Sequence, residues 1–234
     1  MRICVHLALL VLFVAACSNN DPVSPAPTGT KVPGVGSSYE YATYQTGLDG
    51  KKVADSDSTF VSSVIASGVV FGAKTGVWSV ESRDAVSGEP SDTIHMCLDS
   101  KQDVLMYFPD LSADGSPMWI RLPIATGVAF ADSITSTEDF NGVTAEFKFK
   151  VKTERVSDES IVVGTSSIAA KKISLSIALD IAVMGEVFPA VNQTGHLWFA
   201  PALGMFVQRS SSAFESGGDV QNGEFTKLTK YTLK

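Results

Sequence analysis

Residues 147 to 152 read Phe-Lys-Phe-Lys-Val-Lys, an order that suits only an element whose side chains alternate between an apolar face and a wet one. That element is a β-strand. Ile173-Ser174-Leu175-Ser176-Ile177-Ala178-Leu179 repeats the period of two with small polar partners. Strands with one apolar face belong to antiparallel sheets covered on one side and solvated on the other, so a doubly wound α/β fold is disfavoured. The expected fold is mainly β: a curved antiparallel sheet, a half-barrel or open-barrel meander, with at most one or two short helices.

Further strands are expected over Tyr39 to Thr46, Val77 to Ser82, Thr93 to Leu98, Val104 to Phe108, Met118 to Leu122, Glu159 to Val163, His196 to Ala200, Gly204 to Phe214 and Glu224 to Leu233. Asp99 to Gln102 and Pro201 to Gly204 have the composition of hairpin connections. One stretch departs from the pattern. Phe60, Val61, Val64, Ile65, Gly68 and Val69 recur at helical spacing behind Asp57 and Ser58 as possible caps, which favours a short helix by a small margin. Its glycine and β-branched residues argue for an irregular strand.

The N-terminus is a different kind of sequence. Residues 1 to 16 place Arg2 before an apolar run from Val5 to Val14 that ends in small residues, the layout of a secretory signal. A spanning helix needs about 20 apolar residues, and this run is too short. Val14-Ala15-Ala16-Cys17 then has the form of a lipobox, which predicts cleavage between Ala16 and Cys17 and acylation (diacylglycerol, palmitate) of the Cys17 thiol. Two or three chains at about 0.8 kcal/mol per buried methylene hold a protein on a membrane where one chain does not. Residues 17 to 36 carry Pro22, Pro25, Pro27 and Pro33 among small polar residues and read as a tether, able to reach roughly 50 Å at about 3 Å per residue. A single β domain is expected over residues 37 to 234.

Loss of the leader leaves 17 basic against 25 acidic side chains, a net charge of −8. An acidic surface repels phosphate backbones, so no nucleic-acid partner is expected. Cys4 leaves with the leader and Cys17 is acylated, so Cys97 has no partner for an intrachain disulfide and is expected to be buried and inert. No G-x-S-x-G elbow is present, and Gly34-Val35-Gly36-Ser37-Ser38-Tyr39 fails the dinucleotide fingerprint at its third glycine. His95 and Cys97 could share a strand face, but two ligands do not make a metal site. The acids at Asp55 and Asp57, Glu138 and Asp139, and Asp158 and Glu159 lie in turn-like sequence without the enclosed setting acid/base catalysis needs. No cofactor, no metal and no enzymatic activity are expected. The aromatics are more informative: Trp78, Trp119, Phe147, Phe149, Trp198 and Phe199 fall on successive strands and are candidates to line an apolar cavity, or simply to form the core.

Gly195-His196-Leu197-Trp198-Phe199-Ala200-Pro201-Ala202-Leu203-Gly204-Met205-Phe206-Val207 resembles the W-[FY]-A-P-G-[VI]-G hairpin of a group of uncharacterised bacterial lipoproteins, and Leu228-Thr229 resembles the pair in that group's final strand. Val163-Gly164-Thr165 before Lys172-Ile173-Ser174-Leu175 is similar to its glycine-threonine turn. The resemblance implies a half-barrel of the periplasmic lipoprotein-carrier (LolA/LolB-like) type, with a short helical segment over an apolar concavity, and it implies no catalytic residue. The expectation is a non-enzymatic, lipid-anchored envelope protein that binds a hydrophobic small molecule, a lipid or a lipidated partner; the alternative is an assembly lipoprotein acting by protein contacts. Ser18 after Cys17 resembles the class directed to the outer membrane, facing the periplasm or the cell surface.

Overall fold

The computed structural model describes residues 29–108, 118–140 and 143–234. Ala16, Cys17, the leader and most of the tether therefore lie outside the described residues. Fourteen strands follow in order: β1 (Ser38–Thr46), β2 (Ser58–Phe71), β3 (Lys74–Asp84), β4 (Pro90–Leu98), β5 (Val104–Phe108), β6 (Met118–Leu122), β7 (Phe130–Phe140), β8 (Val143–Val163), β9 (Ser166–Val183), β10 (Glu186–Ala200), β11 (Met205–Ser211), β12 (Phe214–Ser216), β13 (Asp219–Gln221) and β14 (Gly223–Thr232). Twelve form one antiparallel sheet in the order β6-β5-β4-β3-β2-β1-β14-β11-β10-β9-β8-β7, and β12 with β13 make a small separate ribbon. No helix occurs among the described residues.

The sheet curls until its two ends nearly meet. The Thr153 hydroxyl on β8 donates to the Arg121 carbonyl on β6 at 2.6 Å, and Arg121 stacks on Phe130 at the start of β7. The connection between β6 and β7 is fixed by Asp103, fully buried, whose carboxylate accepts from the backbone N–H groups of Ala125 and Thr126 and from the Thr126 hydroxyl. Inside the barrel, Tyr39, Trp78, Met96, Ile120, Ile173 and Phe199 are fully buried in a single core cluster.

The segment 60–69 is the middle of β2, not a helix. Of three register shifts against β3, those between Val64 and Ala66 and between Ala66 and Val69 each insert one residue into β2, and the one between Val69 and Phe71 inserts one into β3. An extra residue reverses which face the next side chain takes, so a bulged strand scatters its apolar residues at spacings that imitate a helical period. The bulges also fold the β2–β3 tip over the outer face. There Phe71 stacks on His95 at 4.1 Å between ring centroids and meets Tyr107 and Trp119 edge-on.

Sequence reading also divides β8 in two. The strand runs unbroken from Val143 to Val163, but a bulge between Arg155 and Ser157 shifts its phase, so the polar run Arg155 to Glu159 imitates a turn.

Packing begins upstream of Ser37. Pro33 is buried, the Lys31 N–H donates to the Pro201 carbonyl at 2.8 Å, and the Ser67 hydroxyl donates to the Pro33 carbonyl at 2.8 Å. Residues 30–36 are thus a strap across the end of the barrel where β10 turns into β11. That turn tucks inward, with Ala200, Leu203 and Met205 buried, and closes this end. Gly204 is required there: its φ is +62°, and a Cβ would lie 2.1 Å from the Lys31 carbonyl oxygen.

Candidate functional site

Six aromatics are candidate cavity residues from the sequence, and the structure separates them. Trp78, Phe149, Trp198 and Phe199 are buried in the core cluster. Trp119 sits on the outer face with Tyr107, His95 and Phe71. Phe147 shares the inward face of β8 with Phe149 but is only half-buried, one step further from the closed end. The lower barrel is filled by side chains; apolar surface open to solvent begins above it.

A polar layer marks the transition. The Ser62 and Ser82 hydroxyls are 2.8 Å apart, and the Thr226 hydroxyl links Thr43 at 3.0 Å and Glu224 at 2.6 Å. Arg209 lies among them, stacked on Phe60 and 3.6 Å from Glu224. Two small pockets share Arg209 and Glu224. One, about 160 Å³, is walled by Leu175, Ile177 and Leu197; the other, about 270 Å³, by Thr43, Phe60, Asp84 and Asp92. Together they form the mouth of the barrel.

Beyond the mouth, β7 to β10 continue as a four-stranded flare. Register sets Ile134, Phe149 and Leu179 in one inward row and Ser136, Phe147 and Ile181 in the next, with Val191 opposite Leu179 and Phe188 opposite Ile181 on β10. Burial falls along this path. Phe149 is buried, Phe147, Leu179 and Ile181 are half-buried, and Phe188 at the tip is 51 % exposed. The hairpin tip itself carries Met184, 87 % exposed at a φ of +53°. On this inward face Phe147, Leu179, Ile181, Val191 and Phe188 form an apolar surface outside the core, with Ser136 and Glu138 on its β7 side.

A larger cleft, about 520 Å³, lies at the closed end between the strap, the β8 bulge, β9 and the β10–β11 turn. Its charges are satisfied by one another. Burial works to raise the Asp158 pKa, but hydrogen bonds and charge from Lys171 and Arg155 outweigh it and the carboxyl is held below its usual range. The Trp198 indole N–H donates to Glu159 at 2.6 Å and, with help from Ser157 and Lys172, lowers that carboxyl too. Arg155 also donates to the Ile124 carbonyl. Arg155 and Lys171 both engage Asp158, and Lys172 with the Trp198 indole engages Glu159, so each charge here already has a partner and the mouth and flare are the better candidate site. Sequence reading places Asp158 and Glu159 in a solvated turn; they lie on a bulged strand, and the one available signal is the cluster of charge within a β-strand period.

The remaining polar candidates are dispersed. Nδ1 of His95 is 2.8 Å from the Ser79 hydroxyl on the outer face, and burial lowers the pKa of the imidazole. His196 lies beside Trp198 on β10, and burial lowers its pKa as well. Cys97 is buried, and burial pushes its thiol up. Asp55 and Asp57 lie in the β1–β2 connection, and Glu138 and Asp139 at the far end of β7. Among the described residues no three His, Cys, Asp or Glu side chains converge as a metal would require.

No protein-family model matches the chain, and no curated protein matches it. Among solved structures it is similar to a predicted exported protein of YmcC-like fold from Bacteroides fragilis, with 14 % identity, a TM-score of 0.42, and coverage of 87 % of this chain and 99 % of that one. It is also similar to the hypothetical lipoprotein YmcC of Escherichia coli K12, with 8 % identity, a TM-score of 0.33, and coverage of 81 % and 86 %. Neither likeness assigns an activity or a ligand.

Proposed function

We propose that the protein is a non-enzymatic envelope lipoprotein, anchored through acylated Cys17, that holds an apolar ligand or the acyl chain of a lipidated partner on the inward face of the flare. One observation carries this reading. Leu179, Ile181, Val191 and Phe188 extend the apolar interior past the packed core into solvent. Each half-exposed Leu, Ile or Phe leaves on the order of 1 kcal/mol of transfer free energy unrealised, which a bound chain would recover. Ser18 supports the outer membrane as the place of anchoring.

Lipid extraction and native mass spectrometry of the mature chain carrying Cys17→Ser provide the test. The expected result is a co-purifying lipid, or binding of Nile red that Phe147→Ser with Ile181→Ser removes while the fold persists. A protein that stays ligand-free and binds no apolar probe would overturn the reading.

A second reading has its own observation. Strand β7 pairs with β8, and among the described residues no strand pairs with its other edge, a template for strand addition by a protein partner. Crosslinking in cells from Thr135 should then recover one recurrent protein, and its absence counts against this alternative.

A further inference from the structure

Exposed aliphatic side chains gather at the closed end, beside the point where the chain leaves toward Cys17. The Gly36 N–H donates to the Val64 carbonyl, the Val64 N–H to the Ser37 carbonyl and the Ser67 hydroxyl to the Pro33 carbonyl, so the strap and the second half of β2 run side by side. Along this pair Val35 is 58 % exposed, Ile65 50 % and Val70 71 %, with Val32 and Val69 exposed as well. Single exposed apolar residues are ordinary, but a group of them on adjoining segments marks contact with another apolar phase. The mouth and the flare lie at the other end of the barrel and make no use of it.

Charge and chain length say which phase. Among the described residues, the closed end carries Lys31, Lys74 and Lys101 against Asp99 and the buried, hydrogen-bonded Asp103. At the cleft there, Arg155, Lys171 and Lys172 face Asp158 and Glu159. The opposite end is acidic, with Asp49, Asp55, Asp57, Asp84, Glu89 and Asp92 against Lys51 and Lys52. Anionic headgroups favour the first end and repel the second. Between Cys17 and Gly29 the chain can span at most about 40 Å at about 3.3 Å per residue. Gly29 and Ala170 line the same cleft, and the flare tip at Met184 stands beyond Ala170 by the rest of β9, roughly 45 Å. A barrel standing on its flare would stretch the tether to its limit, whereas one standing on the strap end would not stretch it at all.

We infer that the strap end docks on the bilayer that holds the Cys17 lipid, with Val35, Ile65 and Val70 among its headgroups, and that the mouth and flare point away from that membrane. This rests on acylation of Cys17 and adds the direction in which the anchored barrel faces. Partial removal of one aliphatic side chain from water favours the docked barrel about threefold, so these three together favour it roughly 30-fold.

The test uses the acylated mature chain, with Cys97→Ala, in vesicles of phosphatidylethanolamine and phosphatidylglycerol. Val35→Cys, Val70→Cys or Met184→Cys, one at a time, carries an NBD dye, and doxyl-labelled phosphatidylcholine quenches dye that reaches the headgroups. The Val35→Cys and Val70→Cys dyes should be quenched, and the Met184→Cys dye should behave as in water. In the Val35→Cys chain, adding Ile65→Ser with Val70→Ser should lower the ratio of docked to undocked dye about tenfold. Met184→Cys quenched as strongly as Val70→Cys, no quenching at the strap end, or quenching of Val35→Cys that ignores the serine pair would overturn the orientation alone. A chain that fails to float with the vesicles would overturn the lipid anchor beneath it as well.

Discussion

Tyr39 and Tyr41 should be worth more to this protein than their rings. They stand two residues apart on the inward side of β1, and their hydroxyls donate to the carbonyls of Leu203 at 2.9 Å and Phe206 at 2.7 Å. Both acceptors lie on the turn or first residues of β11, with β14 between that strand and β1 in the sheet. The two bonds therefore span the barrel end rather than a strand pair, and burial pushes both phenols far above their usual range. Tyr→Phe removes the donor with almost no change in volume and leaves a buried carbonyl short of a partner, at a cost of about 1 to 2 kcal/mol each. The double variant should lose about 2 to 4 kcal/mol, with some coupling because the sites are close. For a domain of this size about 1 kcal/mol shifts Tm by roughly 2 to 4 °C, so the double variant should melt about 4 to 16 °C lower. Urea unfolding followed by tryptophan fluorescence should show a lower midpoint at unchanged m. Tyr44→Phe is the control, since the Tyr44 ring stacks on Phe225 and no hydrogen bond to its hydroxyl occurs among the described residues. If Tyr39→Phe and Tyr41→Phe each fall within about 0.3 kcal/mol of the parent and match Tyr44→Phe, the two bonds do not hold the barrel end and the reasoning fails.

Gly204→Ala should cost at least about 2 kcal/mol and expose residues 30–36 to limited proteolysis, because the left-handed backbone is strained and the strap must move away from the new methyl; an unchanged cleavage pattern would contradict this. Because Glu159 has a lower pKa folded than unfolded, its contribution is complete above the ordinary carboxylate range and is lost as pH falls through the folded value. Trp198→Phe should therefore flatten the stability loss measured by urea midpoints below about pH 4.3, and a parallel profile would argue against the indole bond. Native Cys97 should resist maleimide and react fully in urea, whereas fast native labelling would show that the β2–β3 tip opens. Cys17→Ala should abolish incorporation of labelled fatty acid; a variant that still labels would sink the lipid anchor.

Individual strands were legible where one face was dry. Residues 147 to 152 and 173 to 179 alternate because their inward side chains meet the core, and the extents of β5 and β6 follow from the same cause. Legibility fails at bulges and at edges. β2 hides its period behind two insertions, and β8 behind one. β7 escapes detection because its inward positions, Phe130, Asp132, Ile134, Ser136 and Glu138, mix apolar with acidic residues on an edge strand. The candidate site was half visible. Aromatics are recognisable from sequence, but whether a ring is packed, as Trp78 is, or on the outer face, as Trp119 is, depends on what the sheet wraps around. The inward acids could be seen only once register had assigned each residue a side.

The position of β14 sets the order in which this chain can mature. The last strand of the sequence lies between β1 and β11 and, among the described residues, is the only strand whose pairing joins β1 to β6 with β7 to β11. Without residues 223 to 232 the remaining strands of the large sheet fall into two open sheets, each with a raw apolar face and an unpaired edge among the described residues. Assembly is then a single closing event that joins residues 190 positions apart, such as Glu40 and Lys230, and pairings so distant in sequence are slow to find. A truncation before Gly223 would leave two half-sheets rather than a shortened barrel.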